Sequence, residues 1–307
     1  MKLKKKLYRL NKLKKKILIT GSNGFLGSNL SKILKNDFDI TYGYNLSTNN
    51  INKKNSIQSN LKNIKNLKKL IINKKYFSII HCAGETNIEK CQKYPKYSLK
   101  VNYKFPKILA DLAKQYNSTI VFISSDHLFD GKKSYYGEKS FTKHLNNYAL
   151  AKIKSENYIK QKMKKFLIIR TNFFGYQKQK NRKNFFNFIY NNLVKKKKIS
   201  LFYDVYYTPI HIITLCNIIH KLLNNKKYGT YNISSDERIS KYEFGLYICE
   251  QFKFDKKLIR KISIQEKNLV KRPNDMSLCN KKIKRFLNIK KISLYNQMQI
   301  QKKLENL

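Results

Sequence analysis

The run ILITGSNGFLG at residues 17–27 constrains this chain more than any other stretch. Residues 17–20 are apolar or β-branched, as a buried strand requires, and glycines follow at 21, 24 and 27. An apolar helical period then continues through Leu26, Leu30, Ile33 and Leu34. A strand that turns directly into a helix uses Gly21 for the tight turn and Gly27 for close helix–strand packing. Gly24 lets the backbone approach a pyrophosphate. The helix start offers free N–H groups and a positive dipole end to phosphate oxygens. The whole chain has only 10 glycines, so three within seven positions carry weight.

The pattern repeats downstream. FDITYGY (38–44), FSIIHCAG (77–84), STIVFISS (118–125) and FLIIRT (166–171) are short apolar runs of the kind that fill buried parallel strands. Helical periods fall near 60–73, 98–116 and 147–163. Such alternation predicts an α/β fold, a Rossmann-type doubly wound parallel sheet. Residues 1–16 read as a basic N-terminal extension, 17–175 as the NAD(P)-binding domain, and 176–307 mainly as a smaller, interleaved C-terminal substrate-binding lobe. Within that lobe ISLFYD (199–204) and GTYNIS (229–234) read as strands, so 199–234 is expected to return to the sheet.

Charge says less than its size suggests. The 66 Lys+Arg against 18 Asp+Glu give +48, but only seven of the 66 are Arg, the fork-shaped donor preferred for phosphate and base recognition. Lysines spread through the chain alongside abundant Asn and Ile fit an AT-rich coding bias better than a nucleic-acid surface. No apolar stretch approaches the roughly 20 residues that cross a bilayer, and no signal-peptide pattern opens the chain. Five scattered cysteines without a CxxC pair read as free thiols in a reducing cytoplasm, with no metal site.

A tyrosine and a lysine at i and i+4 share a helix face, where the ammonium can lower the phenol pKa. That pattern begins six times here, at Tyr8, Tyr103, Tyr135, Tyr148, Tyr158 and Tyr176. Only Tyr148 and Lys152 begin the helix that follows, 23 residues after Ser125, a strand ending in the hydroxyls Ser124–Ser125, at the edge where open α/β sheets bind ligands. Ser125, Tyr148 and Lys152 are therefore the expected catalytic set. At the end of the second strand an NAD enzyme carries an acid for the ribose 2′-OH. Tyr44 stands there instead, with Lys53 and Lys54 nearby, which leaves NAD(H) or NADP(H) open and favours NADP slightly.

With these residues placed, the chain resembles the extended short-chain dehydrogenase/reductases, and within them the dTDP-4-dehydrorhamnose reductase family of sugar-nucleotide reductases. The resemblance runs from about 17 to 290. It rests on ILITGSNGFLG, HCAGETNIEKC with KVN (100–102), FISSDHLFDG (122–131), LNNYALAK (145–152), LIIRTNFFG (167–175), TPI (208–210), SKYEF (240–244) and RPNDMSL (272–278). It implies NAD(P)H-dependent reduction of a nucleotide-linked 4-keto-6-deoxy sugar, in deoxysugar and surface-polysaccharide synthesis. Tyr148 would be general acid, Lys152 would hold the cofactor ribose, and Ser125 would bind the carbonyl oxygen.

By position in the family pattern, Gly24, Phe25 and Leu26 would meet the cofactor pyrophosphate, and Gly21 and Gly27 belong to the same cofactor-binding turn. Tyr44, Cys82, Ala83 and Gly84 would line its adenosine side, and Asn102 would support the strand edges. Asp126 and Phe173 would touch the sugar. Some relatives form homodimers. Ser125 stands where these reductases usually carry Thr, and Phe173 where Trp is common. Ala149, Ala151, His144 and the VYYTPI segment (205–210) also depart from the pattern. These departures bear on which sugar is used. An NAD-dependent epimerase or dehydratase is the alternative within enzymes. The fold also serves as a cofactor-binding regulatory subunit in the methionine adenosyltransferase complex, a non-catalytic alternative.

Overall fold

A computed structural model describes residues 14–45, 55–60, 63–177 and 184–305. Most of the basic extension, residues 1–13, lies outside them, as do Lys53 and Lys54.

Seven strands form one parallel sheet: β1 (Lys15–Thr20), β2 (Phe38–Tyr44), β3 (Ser56–Gln58), β4 (Ser78–His81), β5 (Thr119–Ile123), β6 (Phe166–Arg170) and β7 (Gly229–Asn232). Their order is β7-β6-β5-β4-β1-β2-β3, and every pairing is parallel. The order reverses between β1 and β4, the switch point at which such sheets open a ligand crevice.

Side chains alternate across the sheet. Ile17, Ile19, Ile80, Val121 and Ile169 pack on one face against α1 (Phe25–Leu34). Leu18, Ile79, Ile120, Phe122 and Ile168 pack on the other, against α2 (Ile64–Lys74), α3 (Phe105–Gln115) and α4 (Asn147–Lys162).

The helix expected over 98–116 is broken. Pro95–Leu99 is α-helical, Lys100–Lys104 makes a π turn, and α3 begins at Phe105. Pro106 causes the break, because it has no N–H to donate to the Asn102 carbonyl four residues back. The Ser155 hydroxyl on α4 donates to that carbonyl instead, at 2.7 Å.

The second lobe is built by α5 (Phe185–Val194), α6 (Ile212–Asn224), α7 (Lys241–Phe252), α8 (Lys281–Leu287) and α9 (Leu294–Glu305), although α6 and Ile283 of α8 pack on the sheet. One part of the sequence reading needs correction here. GTYN (229–232) does join the sheet beside β6, but Ile199–Phe202 does not. It pairs in parallel with Ile259–Ile262 as a separate two-stranded sheet in the lobe core, with Phe186, Ile189, Phe244 and Ile248. A short apolar run specifies a strand without specifying its partner, and this partner lies about sixty residues further on.

Candidate active site

The glycine turn is set by contact rather than by flexibility alone. Gly21 adopts φ +69°, and a Cβ there would lie 2.8 Å from the Ala83 amide nitrogen. At Gly27 a Cβ would come within 2.2 Å of the Gly21 carbonyl oxygen. Gly24 caps α1 in an extended conformation and brings no side chain of its own to the amides that open the helix. The turn is tied to β2, because the Ser22 amide and hydroxyl both donate to the Gly43 carbonyl, at 2.9 and 3.0 Å. Gly43 itself has no room for a Cβ against Ser59 Oγ, at 2.5 Å. That requirement was not visible in the sequence.

The wall opposite the turn is Cys82–Gly84, beyond β4. Asn102, 1% exposed in the π turn, clamps it by donating from Nδ2 to the Glu85 carbonyl and accepting the Glu85 N–H at Oδ1, both at 3.0 Å. Burial raises the Cys82 thiol to about 12, so it stays protonated. Tyr44 is half-buried at the end of β2, where its carbonyl accepts from the Ser59 amide at 2.7 Å.

Ser125, Tyr148 and Lys152 come together where β5 meets α4. The Asn146 side chain caps α4 by accepting from the Ala149 amide at 2.9 Å and donates to the Lys271 carbonyl at 3.0 Å, which ties the helix start to the second lobe. The inward face of α4 is polar, carrying Tyr148, Lys152, Ser155 and Glu156. Lys152 Nζ donates to the Ile123 carbonyl at 2.8 Å and lies 6.0 Å from the Tyr148 ring centre. It is also 3.7 Å from where a Gly84 Cβ would stand, so the ammonium spans the gap between the ends of β5 and β4. Burial lowers its pKa to about 8, while Glu156 pulls it back up.

Tyr148 is pushed well above the usual phenol range by burial, and a hydrogen bond with Ser125 works against that rise. Its ring packs with Ile88, Cys91 and Val270. Beneath the site Glu156 takes two bonds from Arg170 Nε, at 2.9 and 3.2 Å, one from Arg170 Nη2 at 2.6 Å, and one from Ser124 Oγ at 2.7 Å. These bonds hold its carboxyl below the usual range although burial alone would raise it.

Asp126 is 2% exposed and receives bonds from Ser125 Oγ at 3.2 Å and Asn172 Nδ2 at 2.7 Å. Phe173 is placed differently from its neighbour. Its ring lies 6.1 Å from that of Phe25, beside the glycine turn, while Asn172 is the residue that reaches Asp126. Leu26 is buried in the core beneath the turn. Of the other Tyr/Lys pairs, Tyr158 bonds Asp111 on α3, and Tyr135 sits in a loop with φ +53°. Asn172, Glu156, Arg170 and Gly43 escaped the sequence reading. The signal available for Asn172 was its place just past a strand end.

No group of three His, Cys, Asp or Glu side chains able to hold a metal occurs among the described residues. No helix among them is long and apolar enough to cross a membrane.

A profile of the RmlD substrate binding domain matches residues 15–303. The chain belongs to that family. Among solved structures it is similar to a dTDP-4-dehydrorhamnose reductase ortholog from Clostridium acetobutylicum, at 26% identity and TM-score 0.82 over 95% of this chain and 100% of that one. It is also similar to a hypothetical dTDP-4-dehydrorhamnose reductase from Sulfolobus tokodaii, at 30% identity and TM-score 0.80 over 91% and 97%. Among curated proteins it is similar to the beta subunit of methionine adenosyltransferase 2 from Xenopus laevis, at 24% identity over 87% of this chain and 81% of the relative. This RmlD-family chain is thus similar both to dTDP-4-dehydrorhamnose reductases and to a methionine adenosyltransferase subunit.

Proposed function

We propose that this RmlD-family chain is an NAD(P)H-dependent reductase of a nucleotide-linked 4-keto-6-deoxy sugar. The observation that carries the reading is the convergence of Ser125, Tyr148 and Lys152 beside a glycine turn with no space for side chains. Residues and dinucleotide fit: Gly21, Gly24, Phe25 and Gly27 would cradle the phosphates, Tyr44 and Cys82–Gly84 would flank the adenosine side, and Lys152 would hold the ribose. When bound, the nicotinamide supplies the reducing hydride.

The protein's own groups handle the carbonyl oxygen. The Ser125 hydroxyl donates to it and stabilises its growing negative charge. Tyr148, held protonated by burial, gives it a proton. Lys152 places a positive charge behind the phenol and eases that transfer. Asp126, already oriented by Asn172, accepts from a sugar hydroxyl. NADP is favoured over NAD because no carboxylate stands at Tyr44 to repel a 2′-phosphate.

Stoichiometric oxidation of NADPH with a dTDP-4-keto-6-deoxyhexose tests the reading. An epimerase would release product without net oxidation. A non-catalytic subunit, the alternative raised by similarity to the methionine adenosyltransferase 2 beta subunit of Xenopus laevis, would show no turnover of any 4-keto sugar nucleotide.

A further inference from the structure

Three consecutive residues at the end of β5 are each bonded to α4. The Ile123 carbonyl accepts from Lys152 Nζ at 2.8 Å, and the Ser124 hydroxyl donates to Glu156 Oε1 at 2.7 Å. The Ser125 hydroxyl shares a hydrogen bond with Tyr148. Positions 148, 152 and 156 are four residues apart and share one face of α4. Strand and helix therefore meet in a fixed register, rung by rung. Both members of the middle rung are buried, so neither Ser124 nor Glu156 meets a substrate.

That rung belongs to a closed ring. The Ser124 amide donates to the Ile169 carbonyl of β6 at 2.8 Å. Arg170, the next residue, grips Glu156 through Nε and Nη2, at 2.9 and 2.6 Å. The ring thus runs from β5 to α4 to β6 and back to β5. Sheet alternation makes Ser124 the anchor, because it continues the face of Ile120 and Phe122 that packs against α4. Ser125 lies one residue further on, past the end of the strand. A hydroxyl bonded to a carboxylate is held more strongly than one bonded to a neutral acceptor. With amide and hydroxyl both fixed, Ser124 gives Ser125 a rigid base.

The ring also fixes charge at Lys152. Glu156 follows Lys152 by one helical turn and favours its ammonium; among the described residues it is the one carboxylate acting there. The other groups facing that ammonium stay neutral around it. From β4 and its end, burial lowers His81 to about 3 and raises Cys82 to about 12. Cys91, from the helix Ile88–Lys93, is also raised by burial, and so is Tyr148 on α4 itself. Glu156 in turn is faced by Arg170 from β6 and by Lys160 from its own helix.

We propose that Ser124 and Glu156 are positioning residues of the reduction, acting through Ser125 and Lys152. The role rests on the reductase reading above. Ser124 keeps the carbonyl-binding hydroxyl at its place beside Tyr148, and Glu156 keeps the ammonium behind the phenol charged.

The full chain tests it as wild type, Ser124→Ala, Ser124→Thr and Glu156→Gln. Turnover with a dTDP-4-keto-6-deoxyhexose, NADPH affinity against pH and the thermal transition are measured for each. Ser124→Ala leaves the Glu156–Arg170 pair in place and should fold. A loosened Ser125 should lower its kcat about 10–10²-fold, with NADPH affinity near wild type. Ser124→Thr keeps a hydroxyl and should recover most of that loss. Because Lys152 holds the cofactor ribose, wild-type NADPH affinity should weaken as pH rises past about 8. Glu156→Gln removes the charge that favours the ammonium, so its affinity should weaken at lower pH.

Wild-type kcat in Ser124→Ala overturns the proposal, as does an equal loss in Ser124→Thr. NADPH affinity that falls as far as kcat in Ser124→Ala would show general damage and overturns it too. So does an unmoved alkaline limb in Glu156→Gln; should that variant not fold, Ser124→Ala decides. A wild type that reduces no 4-keto sugar nucleotide would sink the reductase reading, and the NADPH limb would then decide the hold on Lys152 without turnover. Reduction by wild type with an unimpaired Ser124→Ala would sink the positioning role alone.

Discussion

Lys152 Nζ donates to the carbonyl of Ile123, the last residue of the strand that delivers Ser125, at 2.8 Å. The site cation is thus pinned to the strand that positions the hydroxyl, so α4 and β5 keep their register at the reaction centre. The bond orients an ammonium that burial makes easier to deprotonate, at about 8.

A pH profile follows from that value. Lys152 is charged below about 8 and becomes neutral as pH rises past it, while Tyr148 stays protonated over the same range. The free-enzyme quantity kcat/KM for NADPH should therefore fall on the alkaline side with a limb near 8. Lys152→Arg, charged to about pH 12 or beyond, should move that limb upward in whatever activity it retains. An unmoved limb would assign the titration to another group.

Tyr148→Phe removes the acid and keeps the ring that packs on Val270 and Ile88. Turnover should drop by about 10²–10⁴, with NADPH affinity by fluorescence titration little changed. Ser125→Ala should cost about 10²–10³, because a second donor to the carbonyl oxygen remains. Equal, minor losses in both variants would exclude their assigned roles.

Glu156 and Arg170 are each 1% exposed and depend on one another. Removing one member of such a pair costs about 3–5 kcal/mol, so Glu156→Gln should lower the denaturation midpoint markedly. The folded-state pKa of Glu156 is depressed. Its contribution to stability is therefore complete above the ordinary carboxylate pKa and is lost as pH falls through the lower folded value. The acid limb of stability should be shallower in Glu156→Gln. An identical limb in wild type and variant would place the acid sensitivity elsewhere.

Gly27→Ala puts a Cβ against backbone, 2.2 Å from the Gly21 oxygen, and neither partner can yield cheaply. NADPH binding should be lost or severely weakened. Gly137→Ala is the control, because its nearest neighbour would be Ser140 Oγ at 3.8 Å. Binding and thermal midpoint should match wild type there, and similar damage in both would show that the turn geometry is not the cause.

Local chemistry made much of the site legible. The glycine turn, the hydroxyl-ending strand and the Tyr148–Lys152 pair each span only a few residues, and each lies at an element boundary. Their meaning followed from period and spacing. The helix break at Lys100–Lys104 was equally local in cause, since Pro106 removes one specific hydrogen bond, but its purpose needed Ser155 and Glu85 in place. Asn172, Glu156 and Arg170 were silent, because a buried polar residue looks the same in sequence whether or not its partner is waiting.

By itself the sequence determined the doubly wound parallel sheet and put the glycine turn, Ser125 and the Tyr148–Lys152 pair at element ends, because strand and helix periods and short spacings encode all three. Only the tertiary structure decided that Ile199–Phe202 pairs with Ile259–Ile262, and that Lys241 lies over Tyr207 within reach of Asp126. Those contacts close long loops, and which of many apolar or charged runs meet is set by the packing of the whole lobe.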